Sequence, residues 1–193
     1  MVKIHQITSG VWLRWAHTPF RFRFHDVCVN MDSYGLLAIA IAYVLGCFNA
    51  SYYFVHWKTG ADIRGHGSGN AGARNVGRLL GTTAFFVTFL LDGSKGALAA
   101  VIGTRLSSAP TAPEMCAIAA VAGHVWPIQL GWRGGKGIAT SMGAVLALAF
   151  LGARSGFIPV LCVLTLLLIY THRHNLSRWC RRVAGISHRD STS

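Results

Sequence analysis

The ten residues GWRGGKGIAT, Gly131 to Thr140, set four glycines around Arg133 and Lys136 between two apolar segments. Glycines beside a lysine suit a backbone that closes on an anionic oxygen, and a nucleotide phosphate loop is the first reading to test. A Walker A loop needs G-x-x-x-x-G-K followed by Ser or Thr, whose hydroxyl holds magnesium. Here Lys136 is followed by Gly137, the residue five before Gly135 is Leu130, and no strand leads in. An ATPase is excluded. Two readings stay open. In one, Gly134, Gly135 and Gly137 present backbone amides at the N-terminus of a helix beginning near Ile138, with Lys136 adding a full charge for an anion. In the other, the stretch is a flexible turn with a snorkelling lysine.

A second cluster, GHGSGNAGARNVGR, runs from Gly65 to Arg78. Gly67, Gly69 and Gly72 match GxGxxG, and Asp92 mimics the ribose-binding acid of a dinucleotide fold. No strand precedes the glycines and Asp92 lies inside a hydrophobic run, so the match is accidental. A polar turn accounts for the glycines. It does not account for Arg74 and Arg78 beside Ser68, Asn70 and Asn75, since a guanidinium grips phosphate through two parallel N–H bonds.

Asp92 and Lys95 fall one helical turn apart in an otherwise apolar segment. An unpaired charge at mid-membrane costs at least ~2.5–3.5 kcal/mol, so both must face a bundle interior. A structural ion pair and a direct substrate contact both satisfy that requirement. The fourth stretch, THRHNLSRWCRR from Thr171 to Arg182, repeats Leu176, Trp179 and Val183 at helical spacing with arginines on the other face. It reads as an interfacial helix on anionic lipid. His172 and Asn175 sit three apart at its start.

The elements that must position these groups are apolar. The chain is 52% hydrophobic and 12% charged, against about 25% charged in soluble domains, which argues for a membrane protein. Its formal net charge of +12 is confined to short segments between apolar runs, a pattern that favours membrane over nucleic acid. The 5 cysteines are scattered without a CxxC pair, and the 9 histidines show no zinc-ligand spacing. Five spans are expected: Ser33 to Val55, Leu79 to Ile102, Met115 to Leu130, Ile138 to Leu151 and Ser155 to Tyr170. Ala139, Gly143 and Ala147 recur every four positions and invite close helix approach. This topology gathers residues 56 to 78, 131 to 137 and the tail from Thr171 on one side, where most of the Lys and Arg lie, and that side is expected to be cytoplasmic. Residues 1–30, aromatic and arginine-interleaved, are expected to be an N-terminal extension, with 31–193 a single membrane domain.

HGSGNAGARNVGRLLG, LLDGSKGA, GHVWPIQLGWRGGKGIAT and HRHNLSR, in this order between apolar helices, resemble the bacterial membrane acyl-phosphate:glycerol-3-phosphate acyltransferases, the PlsY family. The resemblance covers about Met31 to Arg182. It implies an all-α, polytopic integral membrane helix bundle of about five transmembrane helices in the bacterial inner membrane, its motif loops facing the cytoplasm. It implies transfer of an acyl group from acyl-phosphate to glycerol 3-phosphate, giving lysophosphatidic acid, without cofactor, acyl-CoA, acyl carrier protein or metal. The roles that it carries across are catalytic for Ser68, Arg78, Lys136, His172 and Asn175. Phosphate binding falls to Gly69, Asn70, Gly72, Asn75, Lys95, Gly134, Gly135 and Gly137. Arg74 stands where the family usually has threonine, and Ser187 where a glutamate is expected. The interval from Lys136 to His172 is short by about two spans of ~20 residues. A shortened paralogue that binds phospholipid or phosphorylated ligands without turnover is the alternative.

Overall fold

The computed structural model describes residues 32–152 and 157–183, the side chains of 157–159 and 174–183 excepted. The N-terminal extension, Ser187, and the side chain of Asn175 lie outside the described residues.

Asp32 opens the first helix, α1 (Ser33–Cys47), by accepting the Gly35 N–H at 2.9 Å. The same carboxylate accepts the Ser107 hydroxyl at 2.6 Å, clasping the start of α1 to a distant turn. The chain then breaks: Phe48 and Asn49 are extended, and the Asn49 side chain caps α2 (Ala50–Thr59) by accepting the Tyr52 N–H at 2.9 Å. Taken together, Ser33–Thr59 is long and apolar enough to cross a membrane. A break in such a segment strips carbonyls of their helical donors, at several kcal/mol per group in hydrocarbon. Here side chains replace those donors. Lys95 Nζ donates to Gly46 O at 3.1 Å and Phe48 O at 2.6 Å, and Gln129 Nε2 donates to Cys47 O at 2.6 Å.

After a single turn at Ile63–Gly65, α3 (Ala73–Leu80) lies as a short amphipathic helix, burying Asn75 and Val76 and exposing Arg74 and Arg78. Gly81, with φ +86, ends it, so α4 (Thr82–Leu106) begins three residues later than the sequence pattern places the second span. The third apolar helix, α5 (Ala112–Val125), is displaced the other way. Pro113 fits its first turn, where no N–H is needed, and the chain leaves the helix at Trp126, ahead of Pro127. A turn at Ile128–Leu130 leads to the glycine loop, then α6 (Ile138–Phe150) and α7 (Phe157–Val183). The stretch Thr171–Arg182, expected as an interfacial helix, continues α7 without interruption.

α4 packs on α6, α5 and α1, and α1 packs on α5. Small residues allow this. A Cβ added at Gly143 would strike Gly93 backbone, and one at Gly96 would strike Thr140 O, so α4 and α6 are in backbone contact. The buried set is dominated by alanines such as Ala38, Ala42, Ala99, Ala117, Ala120 and Ala144, with Asn49, Thr88, Asp92, Lys95, Glu114, His124 and Thr140 among them. The large apolar side chains face outward: Val44 is 68% exposed, Leu90 66%, Leu146 64% and Phe150 93%. A water-soluble core has the opposite arrangement. Small and polar inside with large and oily outside is what lipid selects. Thr82–Leu106 is the second helix long and apolar enough to cross a membrane, while Ile138–Phe150 and Val160–Arg173 are shorter apolar helices.

Candidate functional site

Asn75 organises the first loop from beneath. Its amide nitrogen donates to His66 O at 2.9 Å, Asn70 O at 3.2 Å and Ile63 O at 3.3 Å, while its oxygen accepts the Ser68 N–H at 3.0 Å. One buried amide therefore shapes the whole turn, and Ser68 and Gly69 are left exposed on its rim. Gly67 must be glycine twice over, with φ +58 and Asn75 Oδ1 where a Cβ would sit. Asn75 is the scaffold of the proposed phosphate loop, and its own polar atoms are spent.

The glycine loop is fastened to the end of α5. Gly134 N–H donates to Val125 O at 3.1 Å and Gly135 N–H to His124 O at 3.0 Å. This corrects the expectation that both present amides to an anion: these donors are already taken. Their glycine character serves close approach, because a Cβ at Gly135 would collide with His124 Nε2 and press on Ala71 O. Ala71 O also accepts from Asn49 Nδ2 at 3.2 Å. The two glycine-rich loops thus meet at Ala71 and Gly135. Gly137, with φ +83, turns the chain into α6.

A second tie joins the same loops. Arg64 Nε and Nη2 form a fork on the Asp62 carboxylate at 2.7–3.0 Å, and Arg64 Nη1 donates to Leu130 O and, at 3.4 Å, to Arg133 O. The guanidinium carbon lies 5.2 Å from the centre of the Tyr52 ring. Hydrogen bonding from Arg64 holds the Asp62 carboxyl below its usual value, and the same bond raises Arg64 further.

The third motif arrives through α7. The one hydroxyl proton of Thr171 faces two carbonyls, Leu168 O at 3.0 Å within α7 and Lys136 O at 3.1 Å, and this approach sets His172 next to the backbone of the half-buried Lys136. His172 Nδ1 is 2.9 Å from Leu168 O. A carbonyl only accepts, so this contact assigns the proton to Nδ1 and leaves the lone pair of the neutral ring on Nε2.

Ser68, Asn70, Gly72 and Asn75 therefore share one loop; Gly134, Gly135, Lys136 and Gly137 share a second; and His172 reaches the second through its neighbour Thr171. Arg78 stands on the exposed face of α3 with Arg74. Lys95 does not join them. Its side chain is 4% exposed and its ammonium meets Asp92 Oδ1 at 2.9 Å, His124 Nδ1 at 2.8 Å and the two carbonyls of the helix break. Three ammonium protons facing four internal acceptors leave nothing for phosphate. Of the two sequence readings of Asp92 and Lys95, the ion pair inside the bundle is the one present.

Sequence spacing does not single out Arg64 and Asp62, or His124, whose Nδ1 meets Lys95 and whose Nε2 lies against the backbone of Gly135. The available signal was a histidine alone in an apolar run, within reach of an intramembrane Asp and Lys.

The model of the glycerol-3-phosphate acyltransferase family matches residues 36–163. A glycerol-3-phosphate acyltransferase of Thermoanaerobacter sp. strain X514 is 47% identical over 116 residues, covering 60% of this chain and 58% of that one. One from Desulfitobacterium hafniense strain Y51 is 45% identical over 111 residues and covered for 55% of its length. The chain thus spans somewhat more than half of these relatives. The relative from Synechococcus sp. strain CC9605 is 32% identical over 180 aligned positions that take up 74% of this chain and 89% of that protein. That alignment is longer than the part of this chain it uses, so the relative carries an internal stretch absent here. Among solved structures, PlsY, an integral membrane glycerol 3-phosphate acyltransferase, matches in its glycerol 3-phosphate form with TM-score 0.67, at 28% identity over 82% of this chain and 96% of that one. Its lysophosphatidic acid form matches with TM-score 0.64. The shared helical membrane fold and a family match over most of the apolar region lead to one conclusion: this chain belongs to the glycerol-3-phosphate acyltransferase family.

Proposed function

We propose that this chain transfers an acyl group from acyl-phosphate to glycerol 3-phosphate, releasing phosphate and lysophosphatidic acid, at the cytoplasmic face of the inner membrane. The observation that carries the reading is the convergence of the three motifs. Arg64 and the Ala71–Gly135 contact join the first loop to the second, and the approach of Thr171 Oγ1 to Lys136 O at 3.1 Å sets the second beside His172. Family membership supports the acceptor. The solved relatives are described with glycerol 3-phosphate and with lysophosphatidic acid, an acceptor and a product of this kind.

An acyl-phosphate is already activated, so the protein's work is to hold two anions and align the acceptor hydroxyl with the acyl carbonyl. Alignment of this kind can remove about 7–11 kcal/mol of barrier. Lys136 and Arg78 neutralise phosphate, and Ser68 with the rim of its loop orients it. Gly137, at the head of α6, adds the positive end of a helix. The acceptor oxygen attacks the carbonyl carbon, the bond from that carbon to the phosphate oxygen breaks, and the electron pair leaves with phosphate. The hydroxyl proton passes to His172 Nε2, or to the departing phosphate. Asn175, one turn beyond His172 on α7, belongs to the same end of that helix.

The test is conversion by the purified chain in detergent or bilayer, with acyl-phosphate and glycerol 3-phosphate supplied and both phosphate and lysophosphatidic acid followed. Turnover that falls at least a hundredfold in Lys136→Ala supports the reading. Binding of glycerol 3-phosphate without product above that control favours the second reading, a paralogue that binds without turnover, which the missing internal stretch recommends.

A further inference from the structure

We infer that Arg64 is a positioning residue for the acyl transfer proposed above, on which this inference rests: its guanidinium holds the Gly131–Gly137 loop against the Ile63–Gly72 loop and so sets the separation of the two anion sites. An arginine beside a glycine-rich loop invites the role of phosphate ligand, and Arg74 and Arg78 retain it because both are exposed. Arg64 differs. Its side chain is 19% exposed, its fork is closed on Asp62, and its remaining nitrogen points at two backbone carbonyls of the other loop.

Those two carbonyls, of Leu130 and Arg133, bracket Trp132. Among the described residues Trp132 alone has a positive φ, +63, without being glycine. A bulky residue in that region is strained and persists only where its surroundings impose it. Trp132 is 58% exposed, so side-chain packing is a weak source of that constraint. The constraint acts through the backbone instead: the Trp132 N–H donates to Pro127 O at 3.0 Å, and Arg64 fastens the carbonyls on either side. The strained turn aims the next residues, Gly134 to Gly137, and with them Lys136. Asp62 keeps the guanidinium plane oriented, and the Tyr52 face backs it. A lysine's compact ammonium cannot keep a two-nitrogen fork on the Asp62 carboxylate while a third nitrogen, held in the same plane, reaches the carbonyls of the other loop.

The experiment uses the full chain in mixed micelles, comparing the wild type with Arg64→Ala, Arg64→Lys and Asp62→Asn. Hydrogen exchange reads the loop, calorimetry reads glycerol 3-phosphate affinity, and steady-state kinetics reads turnover. In Arg64→Ala, exchange at Trp132, Gly134 and Gly135 is expected to rise at least tenfold while α4 and α6 keep their wild-type rates and the unfolding midpoint holds. Glycerol 3-phosphate affinity is expected to fall at least tenfold, kcat with it, and added guanidinium ion to restore part of both. Arg64→Lys and Asp62→Asn should show the same pattern at about a third of the effect, and they carry the test if Arg64→Ala does not fold. Wild-type exchange in the loop of every variant overturns the inference, as does faster exchange with unchanged affinity. A wild-type chain that binds glycerol 3-phosphate without turnover defeats the proposed reaction alone, because loop exchange and affinity still judge Arg64. A wild type that does neither refutes the reading on which the inference rests.

Discussion

Replacing Lys95 with methionine removes a charge from the middle of the bundle while keeping most of its volume. The Asp92 carboxylate, whose side chain is 2% exposed, then loses the ammonium at 2.9 Å. Breaking a buried pair from one side costs about 3–5 kcal/mol, because the surviving charge has no water and keeps only His124 Nδ1, 3.5 Å away, in place of the ammonium. Gly46 O and Phe48 O lose their shared donor as well, at about 1–3 kcal/mol for each carbonyl left unsatisfied. The groups form one network, so these costs do not add in full. A destabilisation of at least about 4 kcal/mol is expected for Lys95→Met. The double variant Asp92→Asn with Lys95→Met should recover the charge part and retain only the carbonyl part, leaving it more stable than the single variant. Denaturant titration of the wild type, Lys95→Met, Asp92→Asn and the double variant in mixed micelles, read as a double-mutant cycle, measures both quantities. A single variant within about 1 kcal/mol of wild type, or a double variant no better than the single, would refute the account of Lys95 as the donor that closes the break in the first span.

Asn75→Asp should destabilise more than Asn75→Ala. Alanine removes a second donor from three carbonyls that each keep a backbone N–H and deprives the Ser68 N–H of its acceptor, at about 1–3 kcal/mol for the set, whereas aspartate adds a negative charge facing the carbonyls; thermal unfolding ranks the two. Gly143→Val should cost about 3 kcal/mol or block assembly, since its side chain would occupy Gly93 backbone, and denaturant titration in micelles or loss of the folded fraction on size exclusion reads the outcome. The Asp62–Arg64 tie should survive mild acid. Asp62 has its folded pKa lowered by Arg64, so its stabilisation is complete above the ordinary carboxylate value of about 3.9 and fades only as pH drops through the folded value. Exchange protection of the Gly131–Gly137 loop should therefore be unchanged from pH 7 to pH 5, and protection already lost at pH 5 would contradict it. Lys136→Arg should retain charge yet lose at least tenfold in kcat, because a planar fork does not fit a half-buried point-charge site.

Much of this was legible in the chain itself because lipid imposes simple rules. Long uncharged runs had to be helices, and an Asp–Lys pair inside one had to face inward, as it does. The small-residue repeat at Ala139 and Gly143 correctly marked a close helix contact, since only missing side chains let backbones touch. What sequence spacing does not encode is which of several polar partners a side chain finds. Lys95 carried the right chemistry for phosphate, and only burial beside His124 and the Gly46 and Phe48 carbonyls shows its donors consumed. The amides of Gly134 and Gly135 failed as expectations for the same reason: the chain doubles back on α5, and glycine spacing cannot report that. The break at Phe48 and Asn49 was hidden because Ser33 to Val55 reads as uniformly apolar. Arg64 was hidden among many loop arginines that look alike on paper.

The interrupted first span also bears on how a newly made chain becomes a finished protein. Gly46, Cys47 and Phe48 find their donors in Lys95 and Gln129, side chains 47 to 82 positions further along the chain, which reach the break only once α4 and the turn beyond α5 have packed against it. Until those arrive, the uncovered carbonyls hold a foothold for water in the bilayer. The final shape of the first span therefore depends on α4 and on the turn beyond α5, which carry the donors for its break.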